Sequence, residues 1–174
     1  MARFSKLAVL LISFCLVVAS SPAYAQEQPT VQISARQWEG SAGSHAAGVF
    51  CLPNGSYDAA DFLHLIPDVQ EKIKKNLMLI EKQDQFKSAE FSIIKVNMKL
   101  CAKKYGVLAG GRNKAMTGYA LFNTVLKITD FSGKTVSRIP CEFKFEDYKK
   151  KPESVNVIFI DGVVAAFRHC IDLR

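Results

Sequence analysis

A chain of 174 residues suits one domain with an adequate hydrophobic core and leaves little room for a second. Lys plus Arg outnumber Asp plus Glu by 23 to 16, a net charge of +7. That balance favours anionic partners such as phospholipid headgroups, lipopolysaccharide or acidic proteins.

At the N-terminus Arg3 and Lys6 precede an apolar run from Leu7 to Ala19, followed by Ser20, Ser21 and Pro22 and then by small residues at Ala23 and Ala25. This is the order of a bacterial secretory signal peptide, and it predicts cleavage of residues 1–25 before Gln26. The run is shorter than the ~20 residues that span a bilayer, and no later segment approaches that length, so the mature chain is expected to have no transmembrane segment. Loss of Arg3 and Lys6 takes the basic count from 23 to 21 against 16 acids, a mature charge of +5. Cys15 leaves as well, and Cys51, Cys101, Cys141 and Cys170 remain. Four cysteines in an oxidising compartment predict two disulfides, and none of them lie close enough in sequence to suggest a structural zinc site. A periplasmic or secreted address makes nucleic acid the poorest match among anionic partners.

From Gln26 to Gly48 the composition reads as a flexible arm with one short strand, Thr30–Ser34, and one isolated aromatic, Trp38. Cys51-Leu52-Pro53-Asn54-Gly55-Ser56 carries turn chemistry. Pro67 to Lys82 reads as a helix, with Pro67 in its first turn and Val69, Ile73, Leu77 and Ile80 on one face. Residues 91–105 fit two periods: Phe91, Ile94, Met98, Cys101 and Tyr105 form a helical stripe, while Ile94, Val96, Met98 and Leu100 alternate as in a strand, the reading adopted here. Gly106 to Gly118 reads as a loop. Strands are expected at Tyr119–Asp130, Val136–Phe145, Val155–Ile160 and Val163–Ile171, with Asp161-Gly162 as a tight hairpin turn between the last two.

These elements predict a single α+β domain over residues 49–174, with one main helix packed on an antiparallel four- to five-stranded meander. In general appearance this resembles the cystatin-like and NTF2-like folds, a likeness of architecture that transfers no function. A hairpin at Asp161-Gly162 would place Cys141 and Cys170 at levels about 26 Å apart along the strands, against a Cα separation under about 7 Å in a disulfide. Cys170 is therefore expected to pair with Cys51 or Cys101.

No catalytic residue, metal site or cofactor is assigned. His45, His64 and His169 lack metal-binding spacing, and no serine sits in a nucleophile elbow. Charge is the stronger signal: Lys72 to Lys114 holds eleven Lys or Arg against Glu81, Asp84 and Glu90. Within it Lys103, Lys104, Arg112 and Lys114 flank Gly106–Gly111, where backbone N–H groups could join them in holding an anion or partner. The plainer alternative is a solvated basic face. The expected function is thus a non-catalytic periplasmic or secreted binding protein, such as an inhibitor, immunity protein or envelope-assembly factor, whose partner is a protein or an anionic envelope component. The alternative is a small secreted hydrolase acting on an anionic envelope polymer, with His64, Asp58 and Asp61 sharing a pocket.

Overall fold

The computed structural model describes residues 29–48, 50–77, 86–105, 113–146 and 154–173. Its elements are β1 (Thr30–Ser34), β2 (Ser41–Ala47), β3 (Leu52–Asp58), α1 (Ala60–Leu63), α2 (Ile66–Leu77), β4 (Ser88–Tyr105), β5 (Asn113–Thr129), β6 (Thr135–Phe145) and α3 (Val155–Asp172). The strands make one six-stranded sheet in the order β3-β2-β4-β5-β6, with β1 also on β4. Both β1 and β2 run parallel to β4, so the sheet is mixed, larger than the expected antiparallel meander and different in topology from it.

The 18-residue strand β4 is the spine, and it explains the two competing periods of its sequence. Pairing with β5 passes from Ile93↔Thr124 to Lys95↔Asn123, leaving Ile94 as the extra residue of a β-bulge. Before the bulge the buried positions are Ala89, Phe91 and Ile93; after it they are Val96, Met98 and Leu100, followed by the disulfide-bonded Cys101. One inserted residue swaps the parity, and the resulting spacing imitates a helix. Straight β5 needs no such break, and buries Ala120, Phe122, Thr124, Leu126 and Ile128 in strict alternation.

One edge of β4 is filled by two strands in succession. β1 pairs with Ser88–Ser92 and β2 with Met98–Ala102. Residues 30–47, expected as a flexible arm, therefore supply a third of the strands, with β1 at the residues the sequence indicated. The segment between them carries Trp38, which is 2% exposed and stacks on Phe62 and Phe159 at centroid distances of 6.0 and 5.6 Å. Gly43 seats β2: its φ of +122° is open to glycine, and a Cβ there would run into the backbone of Met98. The expected turn at Cys51–Ser56 is instead mostly strand β3, an edge position where Pro53 is tolerated, paired antiparallel to β2 with Ala47 opposite Leu52.

The largest departure from the sequence reading lies at the C-terminus, where the two expected strands are the single helix α3. Ser154 caps it, its hydroxyl accepting from the Val157 N–H at 3.3 Å. Its buried pairs Ile158/Phe159, Gly162/Val163, Ala166/Phe167 and Cys170/Ile171 recur every four residues, which is a helical face. Gly162 is no turn residue. It lets the helix approach β5 so closely that a Cβ would meet the ring of Phe122. Asp161 instead pairs with Lys72 of α2.

This helix also overturns the expected cysteine pairing. With no hairpin, Cys170 faces β6 and bonds Cys141, Cα to Cα 5.8 Å, while Cys51 bonds Cys101 at 5.5 Å. The Thr124 hydroxyl, buried beneath the first of these bridges, donates to the Cys141 carbonyl at 3.4 Å. α2 matches its expected start and buries Val69, Ile73 and Leu77; Ile80 lies outside the described residues. From α2, Gln70 completes the free edge of β1 as a neighbouring strand would. Its Nε2 donates to the Val31 carbonyl at 3.1 Å and its Oε1 accepts from the Ile33 N–H at 3.2 Å. Both longer helices thus cover one face of the sheet.

Candidate functional site

Among the described residues the other face of β4-β5-β6 carries no helix, and its composition follows from the register. Successive cross-strand rows place Lys99 beside Tyr119, Asn97 beside Leu121 and Lys144, Lys95 beside Asn123 and Glu142, and Glu90 beside Lys127 and Arg138. Lys95, Lys99, Arg138 and Lys144 are exposed, whereas Tyr119 and Leu121 are half-buried. The Nζ atoms of Lys99 and Lys144 stand 6.0 and 4.8 Å from the Tyr119 ring centroid, one cation from each flanking strand. Contacts at these distances hold a cation over the ring with its remaining N–H donors directed outward to solvent or a ligand.

Acids are scarce around this cluster. From Phe91 to Thr129 the sequence contains no Asp or Glu, and none occurs from Gly40 to Tyr57. β5 and β2 therefore have no carboxylate at all, and β4 has only Glu90 near its start. Lys95 and Lys99 accordingly have no acidic partner among the described residues. Glu90 pairs with Lys127 at 3.6 Å and Glu146 with Lys144 at 2.5 Å; the latter bond is the main cause holding the Lys144 ammonium above its ordinary range. The basic stretch of the sequence is thus divided between two sides of the sheet. On α2, Lys72 pairs with Asp161, Lys75 pairs with Glu71 at 2.6 Å, and nearby Arg168 of α3 donates to Asn76 at 2.8 Å. Lys95 and Lys99 of β4 are not neutralised in this way among the described residues.

Of the anion-binding residues expected from sequence, Lys103 and Lys104 fall in the last turn-ward residues of β4 and Lys114 at the start of β5, with Lys104 directly opposite Lys114. Arg112 and the glycine loop lie outside the described residues. Sequence reasoning did not identify Tyr119, Lys99 and Lys144 as a group, since only the register brings three strands together. The absence of acids from Phe91 to Thr129 was the available signal.

Of the residues in the hydrolase reading, the two carboxylates hold backbone and His64 is exposed. Asp58 accepts from the Ala60 N–H at 3.0 Å and Asp61 from the Asp58 N–H at 2.9 Å, so both carboxylates bind backbone at the entry to α1. His64 ends that helix and is exposed. His45 packs on Tyr57 and His169 on Phe143, at 5.1 and 5.2 Å. Burial raises the Tyr57 phenol above its usual range. Among the described residues no three His, Cys, Asp or Glu gather as metal ligands would. A cleft of about 620 Å³ beside β1 is lined by Arg36, Glu39, Trp38, Leu63 and Ser92 among others. The buried Trp38 indole N–H has no partner among the described residues.

Among the described residues no helix is long and apolar enough to cross a membrane. The two disulfides are consistent with an oxidising compartment. Comparison with protein-family models, curated proteins and solved structures finds no match to this chain.

Proposed function

We propose that this chain is a non-catalytic binding protein of the periplasmic or secreted space, and that it holds an anionic partner on the uncovered face of β4-β5-β6. The observation that carries this reading is the pair Lys99 and Lys144 astride Tyr119, within strands nearly free of acids. Lys95 and Lys99 on β4 and Lys144 on β6 present N–H donors on one face of the sheet, which suits a partner with several negative groups. Lys72 and Lys75 on the helix side serve this purpose less well than Lys95 and Lys99, because their charge is already met by Asp161 and Glu71. Export and disulfide bonding favour an acidic protein or an envelope polyanion over nucleic acid.

Binding to a soluble sulfated polysaccharide, measured calorimetrically at several salt concentrations, tests the reading. Wild-type protein is expected to bind with an affinity that falls steeply as salt rises, and Lys95→Glu with Lys99→Glu to weaken binding by at least ~10-fold. Equal binding by Lys74→Glu with Lys75→Glu and by the sheet variant would remove the uncovered face from the account.

A further inference from the structure

A break along one edge of β4 opens a cleft. β1 pairs with β4 as far as Ser92 and β2 begins its pairing at Met98, so among the described residues neither strand covers the stretch between. The chain crosses this gap over residues 35–40, tied by the Trp38 N–H donating to the Ala35 carbonyl at 3.1 Å. The cleft of about 620 Å³ lies in the size range that holds small organic ligands.

Its lining combines apolar, neutral polar and charged groups. Ile33 and Ile93 are buried, while Leu63 stands 42% exposed. Ser34 and Ser92 are direct partners across β1 and β4, and neither hydroxyl has a hydrogen-bond partner among the described residues. Arg36 and Glu39 supply one charge of each sign; both are exposed, and among the described residues neither is paired with the other or with a third group. Glu90, the other acid of the lining, is engaged by Lys127 at 3.6 Å. Trp38 lines the cleft as well, and its buried indole N–H lacks an acceptor among the described residues. Buried donors are ordinarily matched, and a ligand oxygen at this wall is the acceptor that would match it.

We infer that this cleft binds a short peptide with free ends and aliphatic side chains. The carboxylate meets the Arg36 guanidinium and the ammonium meets Glu39; a simple anion fits less well, because Glu39 repels it. The aliphatic side chains cover Leu63, and the peptide groups serve the two serine hydroxyls and the indole N–H. A single amino acid carries both charges but leaves most of the cleft empty. None of Lys95, Lys99 and Lys144 lines the cleft, so the site is independent of the polyanion face.

Trp38 is the only tryptophan of the chain, so its emission reports occupancy. Trileucine is expected to change that emission saturably and to bind at least ~10-fold more tightly than leucine. Acetylating its amino end or amidating its carboxyl end should each weaken binding by ~10-fold or more. With Arg36→Gln the amide is expected to bind as well as the free acid, and with Glu39→Gln the acetylated peptide as well as the free amine. Both residues are exposed, so neither change threatens the fold. Absence of trileucine binding by emission and by calorimetry would overturn the inference and leave the polyanion reading untouched. Equal affinity for leucine and trileucine would overturn the peptide, and acetylated trileucine binding as well as trileucine would make this a plain carboxylate site. Binding that neither substitution alters would place the peptide elsewhere on the chain.

Discussion

The two sides of the sheet use the same residue types to opposite ends. On the helix side, aromatic rings are fully buried, Phe122 against Gly162 and Trp38 between Phe62 and Phe159, and Lys72 and Lys75 of α2 are paired with Asp161 and Glu71. On the uncovered side, Tyr119 keeps its ring at the surface and lysines gather over it without an equal number of acids. On the proposed reading, the difference separates stability from recognition. Substitutions on the helix side should change stability and leave anion binding alone, and those on the other side the reverse.

The largest effect expected on the covered side follows loss of the bridge between Cys141 and Cys170. Changing both to Ser removes a constraint on a 29-residue separation and should lower unfolding free energy by about 3–4 kcal/mol. Chemical denaturation measures this, and polyanion affinity below the transition should be unaltered. Peptide mapping without reduction should recover Cys141 with Cys170 and Cys51 with Cys101. Next in size is Gly162→Ala, which improves helix propensity yet drives a methyl group into the Phe122 ring; a net loss of about 1–3 kcal/mol is expected. A gain in stability would show that α3 does not approach β5 as described. Gln70→Ala should cost about 1–2 kcal/mol by leaving the Ile33 N–H and Val31 carbonyl unmatched, with faster amide exchange at Ile33 as its signature.

Smaller effects belong to exposed groups. Lys95→Glu with Lys99→Glu should leave the thermal midpoint nearly unchanged while abolishing most polyanion binding, the mirror image of the cysteine variant. In the β5–β6 turn, hydrogen bonds from Ser132 and the Lys134 N–H hold the Asp130 carboxyl below its ordinary range. Because the folded pKa is the lower one, this contribution is complete above the unfolded carboxylate range and disappears as pH falls through the folded value. Asp130→Ala should therefore be destabilising at neutral pH and neutral in strong acid, as thermal melts across pH would reveal.

Much of the sheet was legible from local pattern. Thr30–Ser34, the α2 face of Val69, Ile73 and Leu77, strand β6 and β5 from Tyr119 onward follow from alternation or helical spacing that tertiary packing does not disturb, whereas residues 113–118, read as loop, are the start of β5. β4 was blurred by one residue, Ile94, whose bulge shifts the buried parity. α3 was misread because Asp161-Gly162 has the chemistry of a hairpin turn and Val, Ile and Phe favour strands. The four-residue recurrence from Ile158 to Ile171 and the cap at Ser154 were the countervailing signals. That error carried directly into the disulfide pairing, since Cys141 and Cys170 meet only when α3 lies across β6. Trp38 looked isolated in sequence because its partners Phe62 and Phe159 come from distant segments. For the same reason the site was only half legible: local charge pointed to β4 and β5, but Lys144 joins Tyr119 through the β5–β6 register alone.

The most direct test is a nuclear magnetic resonance titration of the labelled protein with a soluble polyanion, following backbone amides together with the Tyr119 ring and lysine side chains. The account predicts saturable shifts concentrated on Lys95, Lys99, Tyr119, Leu121 and Lys144, with Lys74 and Lys75 of α2 little affected. Shifts centred on α2 and α3, with Tyr119 unmoved, would contradict it.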